Sequence, residues 1–205
     1  MKLTIMAPLH RLLMLIMLLA AASCNPLETI EQRDAEGRIT RYQVNKQNMG
    51  REGLWQQFSA GGNLQVEAHY LGDTLHGEKK YFYPGGAVES IENYRNGTLH
   101  GPFRKYYESG MLMLEQTFVQ GAMQGLSIRY YPNGNVQERV TIINNDENGP
   151  FQEYYENGNL KTEGIYSSTE EEAALEQGEL REYDETGKLV RIADCVDGRC
   201  TTRKE

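Results

Sequence analysis

A glycine returns every 24 residues along this chain, and that interval limits what it can fold into. The first glycine of each unit falls at Gly53, Gly77, Gly101, Gly125, Gly149 and Gly178. A second follows nine residues later, at Gly62, Gly86, Gly110, Gly134, Gly158 and Gly187. Four of the five steps are 24 residues long. Fixed periods between about 20 and 50 residues belong to architectures in which one supersecondary unit is stacked many times. The expectation is six copies of one device.

Within the unit, Tyr131-Pro132-Asn133-Gly134-Asn135 joins a proline that presets φ to a glycine free to turn left-handed. This is the signature of a three-residue hairpin loop, a type I turn followed by a bulge. Tyr83-Pro84-Gly85-Gly86, Tyr107-Glu108-Ser109-Gly110 and Tyr155-Glu156-Asn157-Gly158 repeat it between runs rich in aromatic and β-branched residues, which read as strands. Counting outward from the loop sets Tyr130 opposite Val136. The other units set Phe58 with Leu64, Phe82 with Val88, Tyr106 with Leu112, Tyr154 with Leu160 and Tyr183 with Leu189. Opposed pairs of this kind contribute roughly 0.2 to 1 kcal/mol each and oppose slippage of register. Strand alternation places a third column, Tyr70, Tyr94, Phe118, Ile142 and Tyr166, on the face of these pairs. The other face is expected to carry Tyr83, Tyr107, Tyr131 and Tyr155 among Lys105, Arg129 and Glu153.

A second turn, such as Arg95-Asn96-Gly97-Thr98, carries the Asn-Gly dipeptide preferred where two successive residues need positive φ. Hairpins joined by such short turns lie side by side. The predicted fold is therefore all-β, an elongated antiparallel array of hairpins. About 14 strands spaced ~4.8 Å apart would extend on the order of 65 Å. Residues 34–42 look like a degenerate copy of the turn and second strand, and the repeat signature is lost at Ile143-Asn144-Asn145-Asp146. The long fifth step holds an insertion from Ser167 to Gln177, where Ser168 and Glu171 match a helix capping box, so a loop or a short helix over 168–177 is expected. The chain divides into residues 1–23, a tether with a degenerate hairpin over 24–52, and the repeat domain over 53–205.

The stretch from Gly149 to Leu160, echoed at residues 101–112 and 125–136, resembles the MORN repeat variant of bacterial proteins often labelled YwqK-type antitoxins. The resemblance covers roughly residues 53–192. It implies a β-hairpin repeat array and a binding role without chemistry.

Lys2 and Arg11 precede an apolar run from Leu12 to Ala22, too short to span a bilayer as a helix but suited to a secretory signal. The run ends in Ala21-Ala22-Ser23-Cys24, which resembles a bacterial lipobox and implies lipidation of Cys24, with a plain secretory signal as the alternative. Two or more acyl chains give stable anchoring, each buried CH₂ supplying roughly 0.8 kcal/mol. Asn25 resembles the outer-membrane sorting pattern. The expected location is the bacterial cell envelope, lipid-anchored, facing periplasm or surface.

The other cysteines, Cys195 and Cys200, flank Val196-Asp197-Gly198-Arg199, and Asp-Gly is a strong two-residue hairpin turn. Val196 and Arg199 then close the turn and Cys195 faces Cys200 at a closely spaced position, which suits a disulfide in an oxidising compartment. Two free thiols, or a metal site lacking further ligands, are the alternatives.

Without residues 1–23 the chain carries 19 basic and 29 acidic residues, a net charge of −10. This disfavours nucleic acid as a partner. The acids concentrate between Glu170 and Glu185, either as a solvated segment or as a docking site for a basic partner. Motifs for nucleophile elbows, phosphate loops and zinc helices are missing from the sequence. His76 and His100 occupy equivalent turn positions, and Glu115, Glu138 and Glu163 are the carboxylates that alternation could bring together. No cofactor or metal is expected.

Two readings of Tyr83, Tyr107, Tyr131 and Tyr155 stand side by side. They cover their neighbours and stabilise the sheet, or they offer a rigid row of amphipathic rings to a protein partner. The function expected is a membrane-anchored, non-catalytic interaction scaffold whose protein partner the sequence does not name. The rivals are an antitoxin or immunity protein that occludes a toxin, and a hydrolase of envelope polymers.

Overall fold

Residues 26–168 and 174–203 are described in the computed structural model, and among them there is no helix. Seventeen strand segments form one sheet. They are β1 (Leu27–Arg33), β2 (Ile39–Asn45), β3 (Arg51–Phe58), β4 (Leu64–Leu71), β5 (Thr74–Phe82), β6 (Val88–Arg95), β7 (Thr98–Leu99), β8 (Gly101–Tyr106) and β9 (Leu112–Val119). Then follow β10 (Ala122–Met123), β11 (Gly125–Tyr130), β12 (Val136–Ile143), β13 (Asp146–Tyr154), β14 (Leu160–Ser167), β15 (Leu175–Tyr183), β16 (Leu189–Val196) and β17 (Arg199–Thr202). Segments β7 and β8 share the neighbour β6, and β10 and β11 share β9, so each couple is one strand interrupted near a repeat glycine. Every strand pairs antiparallel with the next in sequence, and the product is a meander.

Both turn types have the geometry their residues dictate. In the three-residue loop the Tyr131 N–H donates to Asn135 O at 2.8 Å, and the Gly134 N–H donates to Tyr131 O at 2.9 Å with Gly134 at φ 90°. The second turn needs two positive φ values, supplied by Asn96 and Gly97 at 50° and 78°. Asn144 and Asn145 adopt 52° and 77° in the unit that lacks glycine, so the turn survives because asparagine tolerates the left-handed region. Residues 34–38 form the same loop as the repeats, and β1 precedes it, so the degenerate copy is a whole hairpin. In the insertion, Leu175–Gln177 belong to β15 rather than to a helix, while 169–173 lie outside the described residues, as do Cys24 and the segment 1–23.

Tyr130 does face Val136, and the equivalent pairs form in all six units. The third column, however, lies on the opposite side from them. Between Tyr130↔Val136 and Arg129↔Glu138 the second strand carries one residue more than the first, and this bulge at Gln137 reverses the alternation that follows. It recurs in every unit. Tyr94, Phe118, Ile142 and Tyr166 therefore share a face with Phe103, Phe151 and the loop tyrosines. The aromatic-aliphatic pairs occupy the other face, where the Arg41 guanidinium lies 5.2 Å from the Phe58 ring and that of Arg139 5.7 Å from Tyr154.

The two faces differ in burial. Val140, Ile142, Phe151, Leu180, Ala193 and Cys195 form a core cluster on what we term the packed face, with Tyr166 stacked on Phe151 at 4.1 Å between ring centroids. Met123, Tyr166 and Cys200 pack against this cluster and complete its cover. The open face instead exposes Leu71, Val119, Leu126, Ile143, Ile165 and Val196.

The first glycine of each unit has its own task. Val140 pairs with Phe151 and Ile142 with Glu147, so the residues around Gly149 (φ 124°) bulge out where one hairpin meets the next. The same bulge holds Gly53, Gly77 and Gly178 at positive φ. Tyr166 lies directly across from Gly149 and Tyr94 from Gly77 in the ladder.

Candidate interaction surface

Adjacent hairpins pair only as far as Val66↔Tyr81, Ser90↔Lys105, Leu114↔Arg129, Glu138↔Glu153 and Thr162↔Glu182. One residue beyond each stop, a carbonyl is left without a ladder partner. At the last four of these stops the loop tyrosines fill that place. The hydroxyls of Tyr83, Tyr107, Tyr131 and Tyr155 donate to the carbonyls of Tyr106, Tyr130, Tyr154 and Tyr183 at 2.8, 2.7, 2.8 and 2.9 Å. Each phenol thus ties its unit to the next, while the rings stay half-exposed along one margin of the packed face. Ser59 and Asp184 stand at the two ends of the row.

A second ladder runs beside the first, through residues the sequence reading did not single out. Asn133 and Asn135 both donate from their carboxamides to Glu156 O at 2.9 and 2.8 Å, and Asn157 and Asn159 donate to Glu185 O at 2.9 and 2.7 Å. Gly85 with Ala87, and Ser109 with Met111, carry no carboxamide at the equivalent places. The visible signal was the asparagine on both sides of Gly134 and Gly158.

Charged groups fill the space below the tyrosines. Arg129, Tyr131, Gln137, Glu138, Glu153, Tyr154 and Lys161 line a cleft of about 240 Å³. Glu138 and Glu153 stand directly opposed in the ladder, and each is offset by its own cation: Arg129 at 3.5 Å from Glu138, Lys161 at 3.2 Å from Glu153. Glu115 and Glu163 instead pair across the open face with Arg104 at 2.8 Å and Arg181 at 3.6 Å. The three carboxylates singled out from alternation do not converge. Burial pushes Glu147 above the usual carboxylate range, helped by the nearby Glu138 charge. Burial also pushes the Tyr166 phenol up to about 12, with Glu147 and Glu176 adding to the shift. Tyr94 is pushed higher still by burial and by its 2.7 Å hydrogen bond to Glu92.

His100 Nδ1 accepts from the Gln120 N–H at 3.4 Å, and His76 lies in the bulge before Gly77. Among the described residues no group of three or more His, Cys, Asp or Glu is placed to hold a metal ion. At the C-terminal end Cys195 pairs with Cys200 across the Asp197-Gly198 turn, and a disulfide joins them with Cα atoms 4.0 Å apart. Cys195 is part of the core cluster, so the bond ties the last hairpin to the packed face.

These features define a hairpin-repeat protein whose units are locked by side-chain ladders, with both faces of the sheet uncovered among the described residues. The profile of the MORN repeat variant matches residues 51–71, 75–96, 99–120, 123–144, 147–167 and 176–194, and the chain belongs to that family. No curated protein matches the sequence. Among solved structures, the crystal structure of TarM aligns over 74% of this chain and 22% of its own length, at 10% identity and a TM-score of 0.24. A likeness that small carries no argument. MORN repeats in general mediate protein or membrane interactions.

Proposed function

We propose that this protein is a non-catalytic scaffold of the bacterial cell envelope, held to the membrane by lipid on Cys24 and binding a protein partner through its open face. The exposed apolar side chains of that face carry the reading. Leu126 is 51% exposed, Ile143 47% and Ile165 48%, and they lie on neighbouring hairpins with Val119. Large apolar side chains left exposed together on one face are what an interaction site would use. The tyrosine row is the weaker candidate, because its hydroxyls are already committed to the next unit.

Photo-crosslinking residues placed at Leu126 and Ile143 of the full-length protein, expressed in cells, test the surface. A discrete protein adduct is expected at both positions, and a Leu126→Asp, Ile143→Asp variant that keeps its circular dichroism spectrum should lose it in a probe at Val119. An unchanged adduct pattern would reject the open face. Incorporation of an alkyne-tagged fatty acid, abolished by Cys24→Ser, tests the anchor. If purified protein turned over envelope polymers and Glu138→Gln stopped it, the scaffold reading would lose to the hydrolase. An immunity role uses the same surface and follows only if the crosslinked partner is toxic when expressed alone.

A further inference from the structure

The two edges of the sheet are built differently. At the C-terminal edge β17 has four residues, is stapled by the disulfide, and leads into Arg203, whose guanidinium reaches Asp194 at 2.6 Å and Glu179 at 2.9 Å. Short, charge-blocked edges discourage strand addition. At the N-terminal edge β1 has seven residues in seven consecutive pairs with β2, without the register shift that interrupts the hairpin of every repeat unit. It contains neither proline nor lysine.

The Lys46 N–H donates to Pro26 O at 2.9 Å, which sets the phase of this ladder. Glu28, Ile30 and Gln32 turn their backbone groups toward β2, whereas Thr29, Glu31 and Arg33 turn theirs outward. From Glu28 to Arg33 the strand pairs with β2 alone among the described residues. We propose that this edge takes a second copy of the same chain, two β1 strands joining antiparallel about Ile30 into one continuous sheet.

The register follows from the side chains. Centred on Ile30, Thr29 pairs with Glu31 of the partner subunit and Glu31 with Thr29 of the partner subunit, forming about four backbone hydrogen bonds. Glu28 then faces the partner subunit's Gln32, and no like charges stand directly opposed. A slip of two residues one way sets Glu31 against the partner subunit's Glu31. A slip the other way sets Ile30 against the partner subunit's Glu28. The central register also aligns the apolar rows, because Ile30 pairs with Tyr42 and Tyr42 with Trp55, so the rows of both copies meet at Ile30. Closely spaced positions of this kind suit a disulfide, which makes the contact trappable.

The test is cysteine trapping in the full-length protein, in cells. Ile30→Cys is expected to give a covalent dimer that reductant dissolves, whereas Thr29→Cys and Gln32→Cys, which face non-equivalent residues, should not. Combining Ile30→Cys with Thr29→Pro removes an outward donor that β2 does not use, and should abolish the trapped dimer. Ile30→Lys, checked for folding by circular dichroism, should sediment as a monomer under conditions where the parent protein dimerises. Absence of the Ile30→Cys dimer, its persistence beside Thr29→Pro, or equal trapping at Thr29 and Gln32 would overturn the proposal. The scaffold reading is tested separately, since photo-adducts at Leu126 do not depend on this edge.

Discussion

The central and C-terminal stretches of the packed face share one backbone and one register, yet they are filled by different chemistry. In the C-terminal stretch the row that crosses the sheet runs through Val140, Phe151, Leu180 and Ala193, all buried. In the centre the same row holds Lys79 opposite Glu92, and Gln116 hydrogen-bonded to Ser127 at 3.1 Å. Asparagine ladders and the disulfide are likewise confined to the later units. The repeat thus sets geometry, while row composition sets local stability. In a quasi-one-dimensional array such differences persist, because each unit contacts only its neighbours.

Hydrogen exchange resolved along the chain gives the most direct view, with faster exchange expected in β5 to β9 than in β12 to β16. The largest effect should come from Phe151→Ala, which removes a buried ring stacked on Tyr166 and costs about 3–5 kcal/mol in urea unfolding. Phe103→Ala, whose half-exposed ring meets Phe118 edge-on at 6.1 Å, should cost clearly less. Equal losses would erase the distinction between the stretches. Replacing Cys195 and Cys200 by alanine frees a short loop worth about 2 kcal/mol by chain entropy, and exchange should rise in β16 and β17 while β5 to β9 stay unchanged.

The tyrosine ladder spans both stretches and sharpens the contrast differently. Tyr107→Phe and Tyr131→Phe each keep the ring and lose one hydrogen bond, for about 1 kcal/mol apiece in denaturant titration. Unchanged stability would return these residues to the role of a free binding row. The smallest expected effect is at Glu147. Its folded pKa is raised, so the charged form is penalised in the native state at neutral pH, and no penalty remains once the carboxyl is protonated in both states. Glu147→Gln should therefore raise the melting temperature at pH 7 and leave it unchanged below about pH 4. Asp184 has the opposite sign. Hydrogen bonds from Thr186 and the Lys188 N–H lower its pKa, so its contribution is present at neutral pH and fades as acid protonates it.

Much of the fold was legible because its signals are local. Asp-Gly, Asn-Gly and the Pro-Asn-Gly loop each dictate a turn within a few residues, and the pairing of Tyr130 with Val136 follows by counting. Counting failed one step later. The bulge at Gln137 has no residue signature, since its equivalents are Gln65, Glu89, Met113, Lys161 and Val190. It moved the third column to the face of the loop tyrosines. The tyrosines were found, but not their bonds, because the carbonyl each one reaches lies 23 residues away, or 28 for Tyr155.

The period, both turn types, the order of strands and the pairing within each hairpin are written in local residues, because glycine, or asparagine in its place, recurs where these turns need positive φ. Which rows share a face, that the tyrosines bind the next unit, and how differently β1 and β17 are built emerged only in the folded sheet. Those outcomes depend on where ladders between hairpins stop, and that is set by backbone bulges and neighbouring units rather than by any residue read alone.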